Sequence, residues 1–323
     1  MRLKSISFLR TFAALIIINS HCINLYPISA FARGGALGNS LFFLMSGFLL
    51  YPIRLEFSEW IKKRYIRLYI PVILTGIILL ILGKMERILY NLFWRFVFPE
   101  HYWFICALIV TYPIYYFIFH NSISKREYIR WSLLLSVLYV FIYCAFLDKS
   151  TYVVENFTIH GIRFSYIFSF FLMMTGGYIR SGMANIMNTL QSVREKRPLV
   201  YLLTLLSLIC YFAFIILMNL RPVLLRFQFM ETVFCITTTL SIFLSAVLSE
   251  DFFQSINSVW FDRFLQIGNY TLEMYLLQFI VIDYIGKFLN IFPVNIMLVY
   301  LITIPLAMGF SKLVDRITKA ITG

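Results

Sequence analysis

The chain has 323 residues, of which 61% are hydrophobic and only 13% charged, with 28 Lys and Arg against 15 Asp and Glu. Soluble domains carry about a quarter charged residues, so this composition and a mean hydropathy of +0.82 exclude a soluble globular protein and predict an integral membrane protein. The formal charge of +13 does not point to nucleic acid, because the cations punctuate apolar segments instead of clustering on one solvated surface.

In chain order, apolar intervals able to cross a hydrocarbon core of about 30 Å fall at 6–26, 36–53, 66–83, 102–119, 131–147, 163–180, 199–218, 230–248, 264–285 and 294–312. The first begins behind a basic MRLKS start and is followed by Ala30-Phe31-Ala32, which has the small-residue look of a cleavage site. Arg10 inside its apolar core, and the membrane-like chain beyond, argue against a cleaved signal peptide. Residues 88–98 are short, aromatic and interrupted by Arg95, which suits a helix lying at the interface better than a span.

With the amino terminus inside, 18 Lys and Arg fall in the cytoplasmic connectors and nine in the outer ones. Positive charge marks the cytoplasmic side. The expected fold is therefore all-α: one polytopic domain over 1–323, with about ten transmembrane helices and both termini cytoplasmic. Cys22, Cys106, Cys144, Cys210 and Cys235 all lie in apolar segments without C-x-x-C spacing and read as buried thiols. Four scattered histidines and few membrane carboxylates offer no metal site. Asn156-Phe157-Thr158 matches a glycosylation pattern common by chance.

The first interval poses the functional question. Arg10 and His21 are eleven residues apart, which advances a helix by about 16.5 Å and turns it through three turns and about 20° more. They therefore share one face, Arg10 near the cytoplasmic end and His21 about 22 Å along from Ile6. Alone, Arg10 reads as an anchor reaching the headgroups and His21 as a polar residue bonded to a neighbouring helix. Together, with Asn19 and Ser20 beside the histidine, they suggest a polar cavity in which His21 moves a proton.

Further stretches follow in order. They are Phe42-Phe43-Leu44-Met45-Ser46-Gly47-Phe48, Lys63-Arg64-Tyr65-Ile66-Arg67-Leu68-Tyr69-Ile70-Pro71, His101-Tyr102-Trp103-Phe104, and Ile267-Gly268-Asn269-Tyr270-Thr271-Leu272-Glu273-Met274-Tyr275-Leu276-Leu277. With the Arg10 and His21 spacing, this series resembles the membrane acyltransferase 3 family from residue 1 to about 315, the middle spans matching by hydropathy alone. Within it the resemblance is to the sub-group containing the enterobacterial common antigen O-acetyltransferase.

Two departures stand out. Gln278 occupies a position where the late motif often has a histidine. Ile105 to Leu108 stand where many relatives carry a carboxylate after Trp-Phe, so no carboxylate partner of His21 is named.

The resemblance implies a bacterial inner-membrane enzyme that transfers an acyl group, usually acetyl, from cytoplasmic acyl-CoA to a hydroxyl of a cell-surface glycan or lipid-linked saccharide. It implies no permanently bound cofactor, acetyl-CoA being the donor. His21 would act as general base, by direct transfer or through an acyl-histidine. Arg64 and Arg67, three apart at a helix entry, can face the donor's phosphates together with Arg10. Gln278 falls about 21 Å along the ninth span and Glu273 about 13 Å along it from Phe264. Glu273 pairs with Arg10 in one reading and serves only packing in another. Tyr275 is a candidate cavity wall. His101 and Trp103 are either an aromatic belt or a sugar contact. His120 and His160 fall in connectors and receive no role. Ser46-Gly47 reads as a close helix contact, not a nucleophile. An exporter of polysaccharide or lipid-linked sugar would use the same seam without chemistry.

Overall fold

The computed structural model describes the chain except residues 1–2, 85–95, 98, 100, 101, 122, 155, 156, 160, 161, 183–196, 290 and 323. It is all-α apart from a two-residue hairpin, β1 (Thr158–Ile159) paired antiparallel with β2 (Ile162–Arg163). The helices are α1 (Lys4–His21), α2 (Gly35–Leu50), α3 (Phe57–Ile81), α4 (Trp103–Phe119), α5 (Lys125–Phe146), α6 (Ser165–Ser181), α7 (Arg197–Leu220), α8 (Phe229–Leu248), α9 (Glu250–Ser255), α10 (Val259–Ile267), α11 (Thr271–Phe288) and α12 (Val294–Thr322).

Nine of the ten intervals expected to cross fall mainly on one helix each, and the ninth falls on two. Among the described residues, five helices are long and apolar enough to span a bilayer by themselves: α3, α5, α7, α8 and most of α12. The others miss for visible reasons. α2, α4 and α6 have 16 or 17 residues, and α1 and α11 interrupt their apolar runs with Lys4 and Arg10 or with Glu273, Asp283 and Lys287. The protein is a multi-pass membrane protein, and the apolar faces of α5 and α7, where Leu133, Val137, Leu202 and Leu205 are exposed, are lipid-facing surfaces. Cys144 and Cys210 lie on those same exposed faces, so only Cys22, Cys106 and Cys235 are the buried thiols expected of all five.

Two boundaries differ from the sequence reading. α1 ends at His21 and not at residue 26, because Pro27 disfavours helix in the residue before it. The Tyr26 hydroxyl also donates to Asn19 Oδ1 (2.5 Å), and Asn19 Nδ2 donates to the Phe31 carbonyl (2.8 Å), folding the chain back. The ninth interval is broken: α10 stops at Ile267, a 3₁₀ turn covers Gly268–Tyr270, and α11 starts at Thr271. Gly and Asn at 268 and 269 weaken helix continuation. The interfacial segment expected at 88–98 and the Asn156 motif lie mostly or partly outside the described residues.

The chain divides into two compact units. One comprises 1–9, 39–54 and 114–256. In it α7 packs on α8 and α5 on α6. α2 and α6 come into backbone contact, since a Cβ at Gly47 would overlap the Met173 carbonyl and one at Gly176 the Leu44 carbonyl. Small residues allow this approach, and the Tyr115 hydroxyl seals it by donating to the Gly47 carbonyl (2.7 Å). The first amides of α1, Lys4 and Ser5, both donate to the Glu250 carboxylate (2.9 Å each), placing a negative charge where the helix dipole favours it.

The second unit comprises 10–38, 55–113 and 257–323, and here α11 packs on α12 and both pack on α3. Three bonds fix α1 in it. Thr11 Oγ1 donates to the Phe264 carbonyl (3.0 Å), Tyr300 donates to the Leu15 carbonyl (3.1 Å), and Asn295 Nδ2 donates to the Leu25 carbonyl just beyond the helix (2.8 Å).

Candidate active site

Most of the residues singled out in the sequence lie in the second unit. α1 is continuous from Lys4 to His21, so Arg10 and His21 keep the helical register that puts them on one face. His21 is the last residue of α1, half-buried, with its imidazole set edge-on against Phe279 at 4.7 Å and 64°. Phe279 belongs to an aromatic cluster: Tyr102 lies 6.1 Å from it, and Tyr275, one turn earlier on α11, lies 6.0 Å from both Phe279 and Tyr102. Phe104 closes on Tyr275 at 5.6 Å. Among the described residues the imidazole nitrogens of His21 have no hydrogen-bond partner, leaving both available to a ligand. The polar groups of Asn19 and Ser20 bond within their own stretch of chain. Asn19 ties the following loop, and the Ser20 hydroxyl donates to the Ile17 carbonyl (2.8 Å).

A second cluster forms at the other end of α11. Arg64 stacks over Trp60 (5.5 Å to the ring centroid), and the edge of Trp60 meets Tyr112 at 5.9 Å. Arg64 and Arg67 both act electrostatically on Tyr112. Arg64 Nε is buried without an acceptor among the described residues. Arg67 is exposed and is the cation acting on Glu273, a buried carboxylate that also has the Ser311 hydroxyl and Asp315 as neighbours.

Gln278 is fully buried on α11. Its Nε2 donates to the Tyr275 carbonyl (3.1 Å), while Oε1 finds no donor among the described residues. Gln278 lies seven residues, about 10.5 Å, into α11, which begins at Thr271. Trp103 opens α4, half-buried beside Phe104. His101 and His160 lie outside the described residues. His120 stacks on Tyr116 (4.7 Å), one turn before it in the chain, and joins neither cluster. No group of three His, Cys, Asp or Glu able to hold a metal occurs among the described residues.

A family model described as an acyltransferase domain, acyltransferase 3, matches residues 3–314. The chain belongs to the membrane acyltransferase 3 family. No curated protein and no solved structure matches it. As a member of that family it is a membrane acyltransferase, acting between an acyl donor and an acceptor.

Three groups of contributors to this acyltransferase's clusters, four residues in all, escaped the sequence reading. Tyr112 joins the two arginines, Ser311 and Asp315 stand by Glu273, and Phe279 packs on His21. Spacing held a signal for two of them. Tyr275 and Phe279 are four apart on α11, as Ser311 and Asp315 are on α12, so each pair shares a helix face.

Proposed function

We propose that the chain is an acyl-CoA-dependent O-acyltransferase that moves an acetyl or other short acyl group to a hydroxyl of a cell-surface glycan or lipid-linked saccharide, with His21 as general base. The observation that carries this reading lies on α11. Glu273, neighbour of Arg67, and Phe279, against His21, are six residues and about 9 Å apart along one helix. A donor with phosphates at one end and a thioester at the other suits such an arrangement.

In this reading the chain is one domain over 1–323, crossing a bacterial inner membrane ten times with both termini cytoplasmic. The charge bias of 18 against nine supports that orientation. The chain is taken to resemble the sub-group containing the enterobacterial common antigen O-acetyltransferase. Arg64 and Arg67 receive the phosphates of acetyl-CoA, since guanidinium forks suit phosphate oxygens. Arg10 faces the donor from the same side of α1 as His21. Acetyl-CoA is a substrate, and no resident cofactor is required.

The chemistry is then simple to balance. His21 takes the proton of the acceptor hydroxyl as its oxygen attacks the thioester carbonyl carbon. The carbon–sulfur bond breaks, the sulfur leaves as thiolate, and the proton passes to it, giving an ester and free coenzyme A. Base catalysis of this kind contributes typically 10² to 10⁴ in rate. Tyr275 and Trp103 offer walls to the substrates, His101 and Gln278 polar contacts to the acceptor, and Glu273 holds Arg67 in place.

The test is acetyl transfer from radiolabelled acetyl-CoA to glycan in membranes carrying the native chain or His21→Ala at matched expression. Label that depends on His21 is the expected result. Label unchanged by the substitution removes His21 from the chemistry, and no label with either chain removes acetyl-CoA as donor.

A further inference from the structure

The first unit contains a recess that the acyl-transfer chemistry does not use. It has a volume of 530 Å³, within the roughly 300–1,000 Å³ that holds a small organic ligand, and lies among α5, α6 and α8. Its walls are apolar and aromatic, with Val140, Tyr143, Phe168, Phe171, Phe229 and Val233 among them. The few polar atoms are largely satisfied within the wall: the hydroxyls of Tyr139 and Thr232 bond each other (2.8 Å), and the Tyr143 hydroxyl donates to the Arg226 carbonyl (2.8 Å). Since Val140 on α5 and Val233 on α8 are exposed, the recess opens laterally on lipid-facing surface, where the molecules at hand are hydrocarbon chains.

One end is different. Lys149 holds its ammonium over the Tyr143 ring (5.7 Å to the centroid) and donates to the Cys144 carbonyl (3.3 Å). Arg226, whose backbone receives the Tyr143 hydroxyl, is exposed, and its guanidinium has no partner among the described residues. Tyr143, which lines the recess, thus holds the Lys149 ammonium over its ring and ties the backbone of Arg226 beside the same end. Asp148 and Glu231 also lie at this end. Asp148 is occupied by Ser150, whose amide (2.9 Å) and hydroxyl (2.7 Å) both bond it, and Glu231 is buried on the first turn of α8.

The mouth is also built to stay in place. Gln228, fully buried, accepts from the amides of Val153 (2.9 Å) and Val154 (3.1 Å) and donates to the Thr151 carbonyl (3.0 Å). It clamps the loop that carries Lys149 to the start of α8. Beneath, Tyr143, Leu147, Val154 and Phe164 form a buried cluster. Tyr152 stands exposed on the clamped loop, an aromatic face of the kind a sugar ring packs on.

We infer that this recess binds the hydrocarbon tail of a phosphate-bearing lipid, with Lys149 and Arg226 receiving the phosphate. Two sources share that chemistry, an anionic bilayer phospholipid and the polyprenyl-type phosphate that carries a saccharide. The occupant is the saccharide carrier, whose sugar would meet Tyr152, exposed on the same loop as Lys149; this choice rests on the lipid-linked acceptor proposed above.

The experiment uses the full chain in phosphatidylcholine nanodiscs without acyl donor. The probe is a C20 prenyl phosphate bearing a terminal diazirine, compared with the same prenol lacking phosphate; the C20 length is roughly that of a chain filling a pocket of this size class. The expected photolabel falls on peptides of α5 and α8. Blocking the recess from either wall, with Val140→Trp or Val233→Trp, lowers it about tenfold, equivalent to about 1.4 kcal/mol. Lys149→Gln combined with Arg226→Gln lowers labelling by the phosphate about as much and leaves labelling by the alcohol unchanged. Labelling that both blocking variants leave intact overturns the site, as does a phosphate probe indifferent to the two cations. Competition by phosphatidylglycerol equal to that by unlabelled prenyl phosphate overturns the carrier as occupant. Since no turnover is read, acyl transfer that fails while labelling succeeds removes only the enzymatic reading, and the converse removes only this inference.

Discussion

Two helix pairs handle buried polar atoms in opposite ways. Between α7 and α8 the hydroxyls bond one another: Thr204 meets Ser245 (2.7 Å), Ser207 meets Ser241 (2.9 Å), and Thr238 donates to the Ser207 carbonyl (3.0 Å). Lipid drives no hydrophobic association between helices, so such bonds and close packing supply it. Between α11 and α12 the polar atoms are used that way only in part, the Ser311 hydroxyl of α12 bonding the Glu273 carboxylate of α11. Gln278 Oε1 and Thr303 Oγ1 are buried without partners among the described residues, and Glu273 faces an exposed arginine of α3. An unmet buried acceptor costs about 1–3 kcal/mol. The polarity of the first pair goes into its own assembly, whereas the second also carries polar atoms, Gln278 Oε1 and Thr303 Oγ1, that no bond among the described residues uses.

Substitutions can break that contrast, and the largest effect is expected at His21. His21→Ala should lower the transfer rate by about 10² to 10⁴ while lowering the thermal unfolding midpoint of the purified protein only by the equivalent of about 0.5–1.5 kcal/mol, the worth of its ring contact with Phe279. Equal losses of rate and stability would place His21 among the structural groups.

Gly176→Ala comes next and should do the reverse. The methyl meets the Leu44 carbonyl on α2, so the unfolding midpoint should fall by the equivalent of about 1–3 kcal/mol, with activity per folded molecule retained. Arg67→Ala should raise the KM for acyl-CoA about tenfold, close to one charge-assisted bond of about 1.5 kcal/mol, with kcat little altered. A lowered kcat at constant KM would assign Arg67 to the chemical step.

The two smallest effects sharpen the comparison. Thr204→Val removes a rung between α7 and α8 and should cost about 0.6 kcal/mol, read as a small drop in midpoint without loss of activity. Gln278→Leu should be neutral or slightly stabilising, because it removes a buried amide whose oxygen is unmet. If it destabilises the protein as much as Gly176→Ala, the amide is a structural group and the contrast between the pairs fails.

Much of this organisation was legible from the residues. The ten apolar intervals coincide with helices because length and hydropathy are local properties, and Gly47 at a close contact follows from small side chains in an apolar run. The shared face of Arg10 and His21 follows from helical period alone. What misled was also local. Asn19 and Ser20 carry the polarity of a cavity lining, yet their bonds go to Phe31, Tyr26 and Ile17, all in the same stretch of chain. The break at Gly268–Tyr270 went unseen because hydropathy does not register a turn of 3₁₀ helix.

The sequence by itself therefore determined the membrane class, the helices and the family, since each depends on composition, period or the order of short motifs. Only the tertiary structure decided which side chains meet. Arg67, Glu273 and Ser311 belong to three helices, and His21 and Phe279 are separated by more than two hundred residues of chain. Contacts between helices depend on rotation and offset about their axes, which the packing of α3, α11 and α12 sets and no local pattern encodes.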